Sequence, residues 1–329
     1  MNKHPFAEFI RILGRGKNGS RSLTREEARD AFSMVLENTI EDVQLGAFLM
    51  LLRVKEETGE EIAGFVDASK QHINAPQHLH ADIDWGCYAG KRRHNPWFVL
   101  SALALSQAGY KVFMHGAQGH TAGRVYAEDT FMELGLPIAN NWQQVETAMT
   151  QQNIVYFPIA HLCPRLHDLI ELRPLLGLRS PVHTLARLLN PLNSSAVVQG
   201  IFHPAYNGIH QRAACQLGYK STLIIRGEGG EFERNPESKL TLFRVMDGLE
   251  STLDMDMVLK QRQVKPESLD LTYMKSIWHG THNDIYAEAA ITATLQLALM
   301  AMATDMSPEQ ASQKAQEIWL NRNPETLQP

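Results

Sequence analysis

Apolar residues recur at helical spacing through the first seventy or so positions, and the texture then changes. Phe6, Phe9, Ile10 and Leu13 share one helix face, and Gly14-Arg-Gly-Lys-Asn-Gly19 closes that helix in a loop. Thr24-Arg-Glu-Glu27 reads as a capping box, a threonine N-cap answered by a carboxylate three residues on. The helix it opens presents Ala28, Ala31, Phe32, Val35 and Leu36. A third helix begins near Glu41 and carries Leu45, Phe48, Leu49 and Leu52; a fourth follows Thr58-Gly-Glu-Glu61 with Ile62, Phe65 and Val66. Four helices on short connections predict a small helical domain over residues 1–73.

Asn74-Ala-Pro-Gln-His78 reads as a linker, after which strand patterns alternate with helix patterns. Strands are predicted at 83–85, 110–115, 153–159, 197–202 and 220–226. Helices are predicted at 99–108, 127–134, 166–176, 182–189, 206–217 and 284–302, with Gly177 separating the third from the fourth. Residues 116–123 and 227–231 form glycine-rich loops. The fold class is therefore α/β: a small N-terminal helical domain, then a larger α/β domain over 74–329 with a central, mostly parallel sheet.

Composition narrows the function. Of 329 residues, 44% are hydrophobic and 20% charged, ordinary values for a globular protein. A formal net charge of −5 provides no global field for nucleic acid or membrane, so any polyanion site must be a local patch. Cys87, Cys163 and Cys215 are scattered and odd in number, which fits a reducing compartment and supplies no paired metal motif. No signal-like segment opens the chain and no apolar run approaches 18 residues, so the expected location is the cytoplasm, with no membrane partner.

The candidate chemistry centres on Asp84-Trp-Gly-Cys-Tyr-Ala-Gly-Lys-Arg-Arg-His-Asn-Pro-Trp-Phe98, a loop between a strand and a helix. Free backbone N–H groups and a helix N-terminus favour anions there. Lys91, Arg92, Arg93 and His94 add a basic block without an internal acid, although a solvated turn reads the same way. Gly116-Ala-Gln-Gly-His-Thr-Ala-Gly-Arg124 could hold a second phosphate or be simply a tight turn. Arg165, Arg173, Arg179 and Arg187 are an arginine excess, some of them ordinary helix-end cations. Glu228, Glu231 and Glu233 could meet a hard cation, but a flexible acidic turn is the plainer reading. His115 and His120 lack a nucleophile to act on. Trp85, Tyr88 and Trp97 could stack on unpaired bases or belong to the core.

Several stretches together resemble a known family. Leu23-Thr-Arg-Glu-Glu-Ala28, Gln44-Leu-Gly-Ala-Phe-Leu-Met-Leu-Leu-Arg53, Glu60-Glu-Ile-Ala-Gly-Phe65, Met114-His-Gly116 and Leu178-Arg-Ser-Pro-Val-His-Thr-Leu-Ala-Arg-Leu-Leu-Asn-Pro191 are similar to anthranilate phosphoribosyltransferase over nearly the whole chain. The resemblance implies a helical domain hinged to an α/β domain, helices near 165–190 returning to the helical part, and a homodimer formed through it. The family's catalytic motifs are largely replaced. Its diphosphate loop, Gly-Thr-Gly-Gly-Asp, is matched by Gly86-Cys-Tyr-Ala-Gly90, and its Asn-Ile-Ser-Thr by Asn95-Pro-Trp-Phe98, with Trp97 at the magnesium-binding serine. The lysine before His115-Gly116 is Met114; the acidic pair that binds magnesium is Gly230-Glu231, leaving Glu231 the sole candidate. The anthranilate-contacting arginine falls on Arg173 and its nearby asparagine on His183.

Losing metal ligands while keeping cations points to phosphate binding without metal. That pattern resembles a branch of the family that binds DNA and RNA with little sequence preference, matched here by Gly14-Arg-Gly-Lys-Asn18, the altered loop, Arg179-Ser-Pro-Val-His-Thr-Leu-Ala186 and Gly227-Glu-Gly-Gly-Glu231. The expected phosphate or nucleic-acid contacts are Gly86, Lys91, Arg92, Arg93, Asn95, His115, Gly116, Arg124, Arg165, Arg173, Arg179, His183 and Arg187, with no catalytic residue, no metal site and no cofactor. The alternative is a phosphoribosyltransferase with altered donor handling and another acceptor, for which Mg2+ would be required. A binder of small phosphorylated metabolites without turnover is a third reading.

Overall fold

The computed structural model describes residues 3–16, 18–119 and 121–328. Its N-terminal part is four helices: α1 (Ala7–Gly14), α2 (Arg25–Leu36), α3 (Asp42–Lys55) and α4 (Gly59–His72). The expected capping box forms, Thr24 accepting from Glu27 N, and a second opens α4, Thr58 accepting from Glu61 N. Glu61 is buried and also accepts from Leu23 N at 2.9 Å, so a cap on α4 fixes the entry to α2. Gly64 lets α2 and α4 approach closely: a Cβ there would lie 2.3 Å from Arg25 O. Lys17, inside the Gly14–Gly19 loop quoted above, lies outside the described residues.

The chain then builds the α/β domain through β1 (Ile83–Cys87), α5 (Phe98–Gln107), β2 (Val112–Gly116), α6 (Ala127–Leu134), α7 (Trp142–Gln152) and β3 (Ile154–Pro158). Four short helices follow: α8 (Ile159–Leu162), α9 (Pro164–Glu171), α10 (Arg173–Leu176) and α11 (Val182–Leu185), the last continuing as a 3-10 turn over Ala186–Leu188. Then come β4 (Ala196–Ile201), α12 (Asn207–Gln216), β5 (Ser221–Arg226), β6 (Leu240–Met246), β7 (Leu249–Met255), α13 (Leu271–His279), α14 (Ile285–Met302) and α15 (Pro308–Leu320).

The seven strands run in the order β3-β2-β1-β4-β5-β6-β7, parallel from β3 to β5 and antiparallel from β5 to β7. Both faces of the parallel part are apolar. Val112, Met114, Ile154 and Tyr156 face α5, α14 and α15, while Phe113, Val155 and Phe157 face the side shared with the helical domain. Helices α11 and α12 pack against α4, and Arg165 at the start of α9 donates to Val35 O at the end of α2.

Besides the single turn of α8, three helices and a hairpin lie outside the expected set. Helix α7 carries Trp142, Val145, Ala148 and Met149 at helical spacing, and α15 opens with the capping box Ser307-Pro-Glu-Gln310. Asp247 and Gly248, both at positive φ, join β6 to β7, the two-residue turn that aspartate-glycine pairs favour. The third helix, α13, is capped by Asp270. Contrary to the expectation about apolar runs, α14 is 18 residues long with mean hydropathy 1.4, enough by length and composition to cross a membrane. Its Thr292 and Gln296 hide in an average dominated by alanine and leucine, and burial of most of the helix against α5, α15 and the sheet accounts for that composition.

The order of the first five strands creates a switch point. The chain runs outward from β1 to β3 and then returns to place β4 on the other side of β1, and ligands of open α/β sheets sit outside the strand ends at such a point. Here the strands part early: β1 pairs with β2 through Cys87 but with β4 only as far as Trp85. Arg187 fills the fork, its Nε donating to Gly200 O at 3.1 Å. A Cβ at Gly86 would come within 3.2 Å of the Arg187 Cα.

Below this fork His210 of α12 bonds Gln199 of β4 at 2.6 Å, fully buried. Burial, with the nearby Arg187 charge, lowers its pKa to about 3. The unfolded imidazole titrates near about 6.5. Its contribution is therefore complete above that value and is lost as pH falls toward 3, where the unfolded chain takes up a proton the folded one refuses. His210→Gln is expected to flatten the acid limb of stability in that window. Melting curves from pH 7 to pH 4 check this; parallel limbs for wild type and variant would refute it.

Candidate anion-binding cleft

The loop from Tyr88 to Trp97 lies over the fork, and two carboxylates hold it from within. Ala89 N and Gly90 N both donate to Glu231 Oε1, at 2.6 and 2.5 Å. Phe98 N, at the start of α5, donates to Glu233 Oε2 at 2.8 Å. Lys91 is fully buried and pairs with both Glu228 and Glu233. The acidic segment is thus no flexible turn, and Lys91 is no phosphate contact: two internal acids surround its ammonium. Burial pulls the Lys91 pKa down, but Glu233 and Glu228 outweigh it and hold it above the ordinary value. For Glu228 the lysine outweighs burial and lowers the pKa; for the deeper Glu233 burial wins, raising it to about 7.

Backbone geometry permits this clamp. Gly90 has φ +69, and a Cβ there would lie 3.0 Å from the Tyr126 ring. Lys91 and Val125 form a two-way bridge, N to O at 2.7 and 2.9 Å, fixing the loop to the chain just before α6. Arg124 reaches back from that chain, donating to Ala89 O, Gly90 O and Gly229 O. Asn95 is occupied in the same way, exchanging two hydrogen bonds with the Asp270 backbone. The aromatic residues are core: Trp85 and Trp97 pack on Phe98 and Tyr273, and His94 stacks on Tyr286 at 4.0 Å. They offer no stacking surface for bases.

His115 lies beneath, in a buried chain that motif reading did not anticipate. Its Nδ1 meets Tyr88 OH at 2.7 Å and its Nε2 meets Asp84 Oδ1 at 3.2 Å. Tyr88 also places its ring 5.8 Å from the Arg187 guanidinium. Gly116 is a steric necessity, since a Cβ would lie 2.0 Å from Cys87 O. His120 lies outside the described residues.

Of the expected arginines outside the basic block, Arg124, Arg173, Arg179 and Arg187 converge and Arg165 does not. Arg179 is half-buried, and its guanidinium is lowered to about 10 by burial first and then by Arg187, Arg173 and Arg124. Arg173 bonds Thr121 of the glycine loop, and Arg187 donates to the carbonyl of His183, which is buried over Ser180. Arg165 stands apart: it bonds Val35 O and Asn38 Oδ1, joining α9 to α2; of the five, only Arg124 reaches the open cleft outside the loop.

Outside the clamp is a cleft of about 1100 Å³. Arg92, Arg93, Arg124, Arg226 and Lys239 line it, with Glu228 as its one acid, and Phe202 stands half exposed within it. Arg92 and Arg93 are exposed. Arg226 and Lys239 were not among the expected residues. Arg226 could be found from its place at the carboxyl end of an apolar strand; Lys239 carries no comparable signal. The basic block therefore divides by depth into a structural lysine and two accessible arginines. Lys91→Met, which strands two buried acids, is expected to cost roughly 3–5 kcal/mol. Arg92→Ala and Arg93→Ala should each stay within about 0.5 kcal/mol. Urea denaturation checks both, and equal losses would contradict the division.

Residues 7–73 match the model of the glycosyl transferase family, helical bundle domain, and residues 98–321 that family's a/b domain. An uncharacterized Escherichia coli (strain K12) protein, YbiB, is 29% identical over 237 residues, covering 70% of this chain and 73% of its own. An anthranilate phosphoribosyltransferase of Prochlorococcus marinus (strain NATL1A) is 28% identical over 309 residues, covering 88% and 87%. The structure of anthranilate phosphoribosyltransferase from Saccharomyces cerevisiae in complex with PRPP and Mg superposes with a TM-score of 0.77 at 16% identity, covering 97% of this chain and 94% of the other. At that identity the likeness speaks for the fold.

Proposed function

The chain belongs to the glycosyl transferase family, and from that premise we propose that its cleft binds phosphate groups by direct contact with cations, the phosphates being those of a DNA or RNA backbone. The supporting observation is the division by depth. Both anion-accepting features of the loop, its amides and the α5 N-terminus, are taken by Glu231 and Glu233, while Arg92, Arg93, Arg226 and Lys239 line an open cleft. A small, highly charged diphosphate needs a closed cradle; a string of phosphodiesters needs an open, cationic wall. Because the net charge is −5, such binding is local to this face.

The second reading is a phosphoribosyltransferase with altered donor handling. The named relatives favour it, as do Gly86, Asn95, His115, Gly116, Arg173 and Glu231 at the family's positions. Its magnesium is the difficulty. Mg2+ takes several oxygen ligands, yet Glu231 spends one oxygen on two amides and faces Arg187. Trp97 replaces the serine, and no group of three or more His, Cys, Asp or Glu residues forms a metal site among the described residues. These residues do not fit the ion.

We also propose a homodimer through the helical domain. Val43 and Val54 of α3 are about four-fifths exposed, at 78% and 83%, on a face that also carries Ala47 and Met50. Sedimentation would test it.

Titration of labelled single-stranded DNA, duplex DNA and RNA at two salt concentrations tests the main reading. Affinity should fall steeply with salt and vary little with sequence. Arg92→Glu with Arg93→Glu should weaken all three ligands and reduce the salt slope by about 2. No binding at low salt would exclude this reading. Release of diphosphate from phosphoribosyl diphosphate and magnesium, with an amine or base acceptor, would establish the second.

A further inference from the structure

We propose that Glu231 and Glu233 act as a built-in substitute for a diphosphate, making them the residues that decide which phosphate ligands the loop refuses. A loop between a parallel strand and a helix offers two sets of anion-seeking donors, the loop amides and the helix N-terminus. In this protein each set holds one carboxylate, and both come from a single three-residue segment. Glu231 accepts from Ala89 N and Gly90 N; Glu233 accepts from Phe98 N and pairs with Lys91. Glu233 N donates to Glu231 O at 2.8 Å, which fixes the separation of the pair. Phe232 between them is buried edge-on against Trp85 at 5.4 Å, so the segment is anchored on its far side as well.

The segment has no room to retreat. A Cβ at Gly200 would lie 2.0 Å from the Glu231 carbonyl carbon, and one at Gly227 would lie 1.5 Å from its oxygen. The backbone of Glu231 is therefore wedged between β4 and the turn after β5. Across it stands Arg187: burial raises the Glu231 pKa, and the Arg187 charge works against that rise. An incoming diphosphate would have to displace both buried carboxylates and then lie beside them, charge against like charge. The fold keeps the electrostatics of a diphosphate cradle and fills it with its own chain. The inference concerns the inner cradle and holds whichever ligand occupies the outer cleft.

The test uses the full-length protein, inorganic pyrophosphate and no divalent metal, read by calorimetry and by the backbone amide resonances of Ala89 and Gly90. In the wild type those resonances should not move with pyrophosphate. Glu231→Ala should bind pyrophosphate about tenfold tighter or better, with both resonances shifting, because two amide donors and Arg187 then face an empty site. Glu231→Gln, close in shape, keeps an acceptor for the amides but removes the charge; it should show a smaller gain and guards against loss of folding in the alanine variant. Wild-type resonances that move with pyrophosphate would overturn the proposal. So would folded Glu231→Gln, verified by circular dichroism, that binds pyrophosphate no better than the wild type.

Discussion

A loop of free amides above an open strand fork cannot remain empty in a folded interior, because unsatisfied donors cost too much. Much of the α/β domain is arranged around the two carboxylates that meet this need. They tie the loop after β1 to the turn after β5, across the strands where the sheet separates. Lys91 neutralises the deeper acid, and Arg187 balances the other from below. Remove the lysine and two buried acids face each other; remove the acids and the loop amides, Lys91 and Arg187 lose their counterparts. The cluster is a mutual dependence and not a sum of separate bonds.

This arrangement leaves accessible cationic groups on the outside of the loop. With the inner cradle closed, the accessible cations are those on the rim, where guanidiniums on the loop and on the end of β5, and the Lys239 ammonium before β6, face solvent around a sizeable cleft. The inner arginines form a second population, which meets the rim at Arg124. Arg124, Arg173, Arg179 and Arg187 converge near the glycine loop strongly enough for their charges to lower Arg179. Yet Arg124 and Arg187 are largely spent on backbone carbonyls. Counting arginines along the chain cannot separate these populations; hydrogen bonding and depth do.

Family membership and site chemistry consequently diverge. The two domain models span most of the chain, and the architecture matches that of a transferase with a bound sugar diphosphate and metal. The fold is held by hydrophobic layers and strand register, which tolerate large changes in sequence. A metal and diphosphate site instead depends on a few side chains and on glycines that let the backbone approach the ligand. On the resemblance drawn from the sequence, Tyr88 and Ala89 in the loop, Trp97 at the helix start and Gly230 beside Glu231 are changes of this second kind.

Local and periodic features were legible in the sequence. The helical N-terminal region, its capping boxes, the parallel strands with their alternating helices and the importance of the loop after β1 all follow from spacing and chemistry within short windows. The hairpin of β6 and β7 and helices α7 and α15 had signals of the same kind, in an Asp-Gly turn, an apolar spacing and a capping box. What the windows cannot contain is contact between residues far apart in the chain. Lys91 and Arg92 are neighbours with the same charge; one is buried between acids some 140 positions away and the other faces solvent. Glu231 looks like a surface acid until the fold brings it to two amides that precede it by 141 and 142 residues. Local pattern determined the elements and where to look; only tertiary packing decided which charges are spent inside the protein and which remain for a ligand, because burial and pairing are properties of the assembled surface.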